Sequence, residues 1–183
     1  AGIGCAGDRA PCARRLPRLG EAFGPRPSGN GVRSLNETPP SPSRRVARAI
    51  DALRHGWPIT LEGGPTLLPV ETAIAAAATS GEMLVSAARA ATLKLTNQKE
   101  AAAPHAPVLI RGAEPFSLQD AQPIADPALD LSSPLKGPFK AEPISWQEQA
   151  EAALELARIA GILPAFMVQP QHGGEAETVA ASD

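Results

Sequence analysis

The clearest hydrophobic pattern in the sequence runs through residues 145–164. At 100° per residue, apolar side chains fill most of the circumference, and one narrow polar strip contains Gln147, Glu148, Glu151, Glu155 and Arg158. A helix with so wide an apolar face is predicted to be mostly enclosed by the fold. Ser145 and Glu148 have the spacing of a capping box at its start, and Gly161 is the expected stop. A short buried strand is predicted directly afterwards, over 164–168.

A second amphipathic pattern predicts a surface helix that runs to His55, with Ser43 as its N-cap and Gly56 as the residue after its C-terminal end. The segment between the two helices alternates between strand and helix patterns. The further predicted elements are strands over 57–62 and 66–71 that form a hairpin, a helix over 72–82, a strand over 83–87, a helix over 87–95, a strand over 108–111, a weak helix over 117–131 and an extended stretch over 132–144.

These elements predict one α/β or α+β domain over 43–169, with a mixed sheet flanked by helices. Residues 1–42 are rich in Gly, Pro, Arg and Ser and have no hydrophobic period, so they are predicted to be a disordered extension. Residues 170–183 also lose the apolar pattern and are predicted to be a frayed tail or a linker.

Composition excludes several classes of partner. The net charge is −2, which argues against binding nucleic acid or a membrane surface through the whole chain. Aromatic residues make up only 3% and tyrosine is absent, so a base-stacking surface is not expected.

No apolar run approaches the roughly 20 residues needed to span a bilayer. A cytoplasmic protein is therefore expected.

Candidate chemistry is sparse. The three histidines are not at metal-ligand spacing, and Cys5 and Cys12 match neither a zinc knuckle nor a redox pair. The aligned glutamates of 145–164 are interpreted as a solvated strip with an ion pair rather than as a carboxylate site. The sequence therefore predicts no catalytic, cofactor-binding or metal-binding residue.

Lys94, Lys99 and Arg111 form the one candidate group for binding an anion, with Arg89 and His105 nearby in sequence. If the helix over 87–95 lay beside a cleft, these cations could bind a phosphate group there by electrostatic attraction. The alternative is a solvated basic surface.

The sequence AEAALELARIAGILPA, at 150–165, resembles the C-terminal signature of 3,4-dihydroxy-2-butanone 4-phosphate synthase, an enzyme of riboflavin synthesis. RAIDALRHGWPITL, at 48–61, is similar to the first helix and first strand of that family. The resemblance implies a three-layer synthase-like fold.

The chemistry of that family is not retained in the matching positions. Its acidic, metal-binding stretch corresponds here to LEGGPTLLPVE, in which only Glu62 and Glu71 are acidic. Its histidine aligns with Gln149, and the glutamate after its last strand falls at Pro170. Since an amide is neither an acid nor a base near pH 7, the resemblance implies that the synthase reaction is lost.

Residues 44–168 as a whole resemble the N-terminal region of alphaproteobacterial GTP cyclohydrolase II proteins, including the segments over 87–111 and 125–139. In that family a degenerate synthase-like domain precedes a zinc hydrolase domain, whose cysteine motif has no counterpart in this sequence. The resemblance implies a non-catalytic domain with a structural or dimerisation role, inactive alone, whose partner is a second copy or a fused hydrolase domain. Zinc is expected only in that missing hydrolase domain.

Two other functions remain open from the sequence. One is a stand-alone binding module that senses a phosphorylated metabolite of the pathway through Lys94, Lys99 and Arg111. The other is an enzyme that catalyses a different reaction. The missing carboxylates argue against this alternative.

Overall fold

The computed structural model describes residues 41–74, 78–169 and 176–182. In these ranges the chain forms four α-helices: α1 (Pro42–Arg54), α2 (Ala87–Thr92), α3 (Leu118–Ala125) and α4 (Gln147–Ala160). The same ranges contain seven strands: β1 (Ile59–Leu61), β2 (Thr66–Pro69), β3 (Thr79–Val85), β4 (Val108–Ser117), β5 (Phe139–Glu142), β6 (Ala165–Gln169) and β7 (Glu177–Val179). The predictions for residues 1–40, 75–77, 170–175 and 183 lie outside the described residues.

All seven strands belong to one sheet, in the order β5-β4-β3-β6-β2-β1-β7. Every neighbouring pair is antiparallel except β1 and β7, which run parallel. The sheet is therefore mixed. The predicted hairpin is confirmed, because Ile59 of β1 pairs with Leu67 of β2 across the turn at 62–65.

The side chains of the central strands divide the core into two clusters. In β3, Met83 and Val85 face one cluster and Leu84 faces the other, as expected from the two-residue period of a strand. Helices α2 and α3 cover the first cluster, and α1 and α4 cover the second. The predicted mixed sheet flanked by helices is thus confirmed.

The two longest helices begin at other residues than the sequence predicts. Helix α4 begins at Gln147 after Trp146, and no side chain caps it, so the capping box predicted for Ser145 and Glu148 is wrong. The Trp146 side chain packs partly against the core under α1 and α4, so packing holds this end of the helix. Helix α1 begins at Pro42 with Ser41 as its N-cap, so the N-cap predicted at Ser43 is wrong.

A capping box does occur at the start of α3, where the sequence predicts only a weak helix. The Ser117 hydroxyl accepts a hydrogen bond from the Asp120 N–H at 3.2 Å, and the Ser117 N–H donates to the Asp120 carboxylate at 3.2 Å. Hydrogen bonds from Ser117 lower the pKa of Asp120. This box stabilises a helix that contains Pro123.

The predicted helix over 72–82 is wrong in the described residues, because 72–74 and 78 lie in a turn or in irregular backbone and 79–82 belong to β3. This strand lies between β4 and β6 and forms a ladder with both of them. Pairing with the neighbouring strands therefore outweighs the local helical pattern at 79–82.

Strand β4 is longer than the sequence predicts, and β7 is a strand that the sequence does not predict. Strand β4 continues from the predicted end at Arg111 to Ser117. Residues 177–179, predicted to be part of a frayed tail, form β7, and Val179 is only 2% exposed. A single buried valine in a polar stretch is too weak a pattern to predict a strand.

Candidate functional site

Gln149 of α4 lies against the turn that follows β1. Its Nε2 donates a hydrogen bond to the Glu62 carbonyl oxygen at 3.0 Å. A Cβ added at Gly64 would lie 3.1 Å from the Gln149 Cβ, so the turn and the side chain are closely packed. Gly63 has a φ of 79°, which favours glycine at this corner. The fold thus joins a position on α4 to a turn 87 residues earlier.

The two carboxylates of this region lie at opposite ends of β2. Glu62 precedes the strand and Glu71 follows it, and the four residues of β2 alone span about 13 Å. The Glu71 carboxylate is also engaged, because its Oε2 accepts the Leu163 N–H at 2.5 Å. These acids cannot share one cation, so they do not replace the acidic, metal-binding stretch of the synthase family.

The three predicted anion-binding residues do not form one site. Lys94 is exposed after α2, and Lys99 is exposed in a short 3-10 turn, Lys99–Ala101. That turn packs on the α2 side of the sheet, since Ala101 belongs to the same cluster as Ile110. Arg111 follows Ile110 in β4, so its side chain points to the opposite face.

The charge of Arg111 is shared with two carboxylates. Its guanidinium contacts Glu82 on β3 and approaches Glu142 on β5, with Nε 3.6 Å from Oε1. Lys140 also binds Glu142, at 3.0 Å. An anion at Arg111 would have to displace these carboxylates. This face is therefore better described as a row of solvated ion pairs than as an anion-binding site.

Arg89 is buried, with 7% of its surface exposed, and is fully engaged. Its Nη1 and Nη2 bind the two oxygens of Asp130 at 2.8 and 2.7 Å, and its Nε donates to the Ile124 carbonyl oxygen at 2.5 Å. Lys136 binds the same carboxylate. Arg89 first, and then Lys136, hold the pKa of Asp130 well below its usual range. Because Arg89 and Asp130 are 41 residues apart, no local sequence pattern reveals the pair.

The polar strip of α4 is exposed, as predicted, and carries the expected ion pair. Arg158 Nη1 lies 2.6 Å from Glu155 Oε2, and Gln147 donates to Glu151 at 2.8 Å. A cleft of about 400 Å³ separates this strip from His105 and the start of α2. Its lining mixes both signs of charge. Over the described ranges, no group of three His, Cys, Asp or Glu side chains could hold a metal ion.

Comparison with known proteins gives no further guide to the site. No protein-family model matches the chain, and no curated protein matches it significantly. In the part of the chain that the structure describes, no helix has the length and apolar character needed to cross a membrane.

Proposed function

We propose that this chain is a catalytically silent, synthase-like domain of a GTP cyclohydrolase II type protein in riboflavin biosynthesis. Its role is structural: it supports a hydrolase domain or pairs with a second copy. The mixed sheet with two helices on each face is consistent with the three-layer fold that the resemblance implies.

The contact between Gln149 and the turn after β1 carries this proposal. The resemblance assigns the synthase histidine to position 149 and the metal-binding acids to the stretch that includes this turn. In the structure these two segments touch, at 3.0 Å, although they are far apart in sequence. Both lack the groups that the reaction needs, because one is an amide and the other is Gly63-Gly64.

A turnover assay tests the catalytic silence. The purified chain is expected to leave ribulose 5-phosphate unchanged in the presence of magnesium. A Gln149→His variant is expected to be equally inactive, because it restores an acid–base group without the carboxylates. Magnesium-dependent turnover by the unaltered chain would refute the proposed silence.

The structural role is tested with a GTP cyclohydrolase II hydrolase domain, either fused to the chain or mixed with it. The chain is expected to change the assembly state or the turnover of that domain, whereas an unrelated domain of similar size should not. Unchanged assembly and unchanged turnover would argue against support of the hydrolase domain.

A sensor of phosphorylated metabolites is the weaker proposal. The Arg111 guanidinium is paired with Glu82 and lies on the opposite face of the sheet from the Lys99 turn. Calorimetry with ribulose 5-phosphate and with GTP separates the two functions. Heat of binding that disappears in a Lys94→Ala/Lys99→Ala variant would favour the sensor, and no heat with either ligand would exclude it.

A further inference from the structure

Trp57 lies at the corner between α1 and β1, and its indole is exposed to solvent. Among the described residues it is the only exposed tryptophan or phenylalanine, with 58% of its surface accessible. The imidazole of His55 stacks on the indole, with the ring centroids 5.1 Å apart and the planes inclined by 26°. His55 Nδ1 in turn donates to the Asp51 carbonyl oxygen at 2.7 Å, and the Trp57 N–H donates to the Ala52 carbonyl oxygen at 2.9 Å. The exposed indole is therefore held in place by α1.

A recess of about 750 Å³ lies beside this indole. Its volume is within the range of roughly 300–1,000 Å³ that is typical of small-molecule sites. His55 does not line the recess, so the indole meets it with a part of its surface that the imidazole leaves uncovered. The uncharged lining residues come from α1, from the corner after it and from the residue before β7: Ala52, Trp57, Pro58 and Ala176.

The charged side chains that complete the lining leave one negative charge uncompensated. They are Arg48, Asp51 and Glu177. Arg48 Nη1 is 3.9 Å from Glu177 Oε1, so these two opposite charges largely offset each other. Asp51 lies three positions after Arg48, on the same face of α1. Its carboxylate forms no ion pair or hydrogen bond in the part of the chain that the structure describes.

We propose that this recess binds a small quaternary ammonium ligand, which contacts the Trp57 indole by a cation–π interaction and is balanced in charge by the Asp51 carboxylate. Tryptophan is the aromatic side chain that attracts a cation most strongly. A quaternary ammonium carries methyl groups and no N–H, so it packs against the indole and Pro58 without leaving a hydrogen bond unmade. An anion would be repelled by the Asp51 carboxylate, and a neutral ligand would gain nothing from its charge.

This site is separate from the contact between Gln149 and the turn after β1. Pro58 precedes β1 and that turn follows it, so the two sites lie at opposite ends of the strand. The inference goes beyond the proposed structural role and does not depend on it, because binding needs neither a hydrolase domain nor a second copy.

Saturation-transfer NMR on the full chain tests the site, with choline as the probe and its methyl protons as the signal. The neutral carbon isostere, 3,3-dimethylbutan-1-ol, has the same shape without the charge and is expected to bind roughly fivefold more weakly or less. Trp57→Ala should raise the dissociation constant for choline roughly tenfold. Trp57→Phe should raise it less, because an aromatic face remains.

Variants of the charged residues test the electrostatic part of the proposal. Asp51→Asn should weaken choline binding roughly threefold, whereas Arg48→Gln should strengthen it, because a positive charge beside the ligand is removed. Glu114→Gln is the matched control, since it neutralises an exposed carboxylate on β4, near the other edge of the sheet, and should change nothing. Melting temperatures establish that each variant is folded.

Equal binding of choline and its neutral isostere would overturn the inference, as would the absence of any saturable binding of choline. Binding that persists in a folded Trp57→Ala variant would also overturn it. So would weaker binding in Arg48→Gln, because the guanidinium would then contact the ligand directly, as it would not contact a cation. The hydrolase assay is read separately, so each of these results leaves the proposed function standing.

Discussion

Gly56 and Gly161 follow helices α1 and α4, and both have left-handed backbone, with φ of 74° and 77°. Their surroundings differ. A Cβ added at Gly56 would lie 2.1 Å from the Thr72 carbonyl oxygen, whereas one added at Gly161 would meet nothing within 4 Å. The Thr72 hydroxyl also donates a hydrogen bond to the Leu53 carbonyl oxygen at 2.6 Å, so Thr72 satisfies a backbone acceptor at the C-terminal end of α1. The sequence predicts both glycine stops but not the contact with Thr72.

Alanine at these two positions should have unequal effects. Gly161→Ala is expected to lower the free energy of unfolding by about 1–2 kcal/mol, the cost of a left-handed non-glycine residue. Gly56→Ala bears the same cost and must also displace the Thr72 backbone, so its loss should be clearly larger. Urea denaturation of the two variants measures the difference. Equal losses would show that the Thr72 contact is readily relieved.

At the scale of the element, strand β5 forms one edge of the sheet, and the Gln98 side chain forms hydrogen bonds with its outer backbone groups. Gln98 Nε2 donates to the Phe139 carbonyl oxygen at 3.0 Å, and the Ala141 N–H donates to Gln98 Oε1 at 2.7 Å. The amide thus occupies the place of a further strand, and it satisfies edge groups that would otherwise be open to pairing.

Gln98→Ala should expose this edge. The Ala141 N–H is expected to exchange with solvent faster, and the free energy of unfolding should fall by about 1–3 kcal/mol for the two lost hydrogen bonds. Hydrogen exchange measured by NMR gives the local effect. Gln122→Ala, at an exposed position on α3, is the matched control. Unchanged exchange at Ala141 in the Gln98 variant would contradict this account of the edge.

At the scale of the whole molecule, the C-terminal strand closes the opposite edge. Strand β7 pairs with β1 and contacts α1, so it joins the sheet to the first helix. The Glu62 N–H also donates to the Val179 carbonyl oxygen at 2.8 Å, which connects β7 to the turn beneath Gln149. The C-terminal residues therefore support both the core and the candidate site.

Val179→Ala should test this contribution. Removing two buried methyl groups is expected to lower the free energy of unfolding by about 2 kcal/mol. Thr178→Ala, at the adjacent exposed position, should change it by less than about 0.5 kcal/mol. Chemical denaturation of both variants measures the effect. If the two losses are the same, β7 is not part of the cooperative unit.

The sequence alone determined the elements whose signal is local. The enclosed face of α4, the hairpin of β1 and β2, and the glycine stops follow from periodicity and turn chemistry over a few residues. The start of α4, the strand character of residues 79–82, and β7 depend on partners elsewhere in the chain. Pairing and packing with those partners outweigh local preference, which differs by only fractions of a kcal/mol per residue.

The same division applies to the candidate sites. The sequence alone showed that acidic groups and a histidine are missing at the positions of the resemblance. Only the tertiary structure brought Gln149 onto the turn after β1, placed Arg111 and the Lys99 turn on opposite faces, and buried Arg89 against Asp130. The physical reason is that each of these outcomes depends on distances between segments roughly 10 to 90 residues apart, and such distances are set by how the sheet and its helices pack.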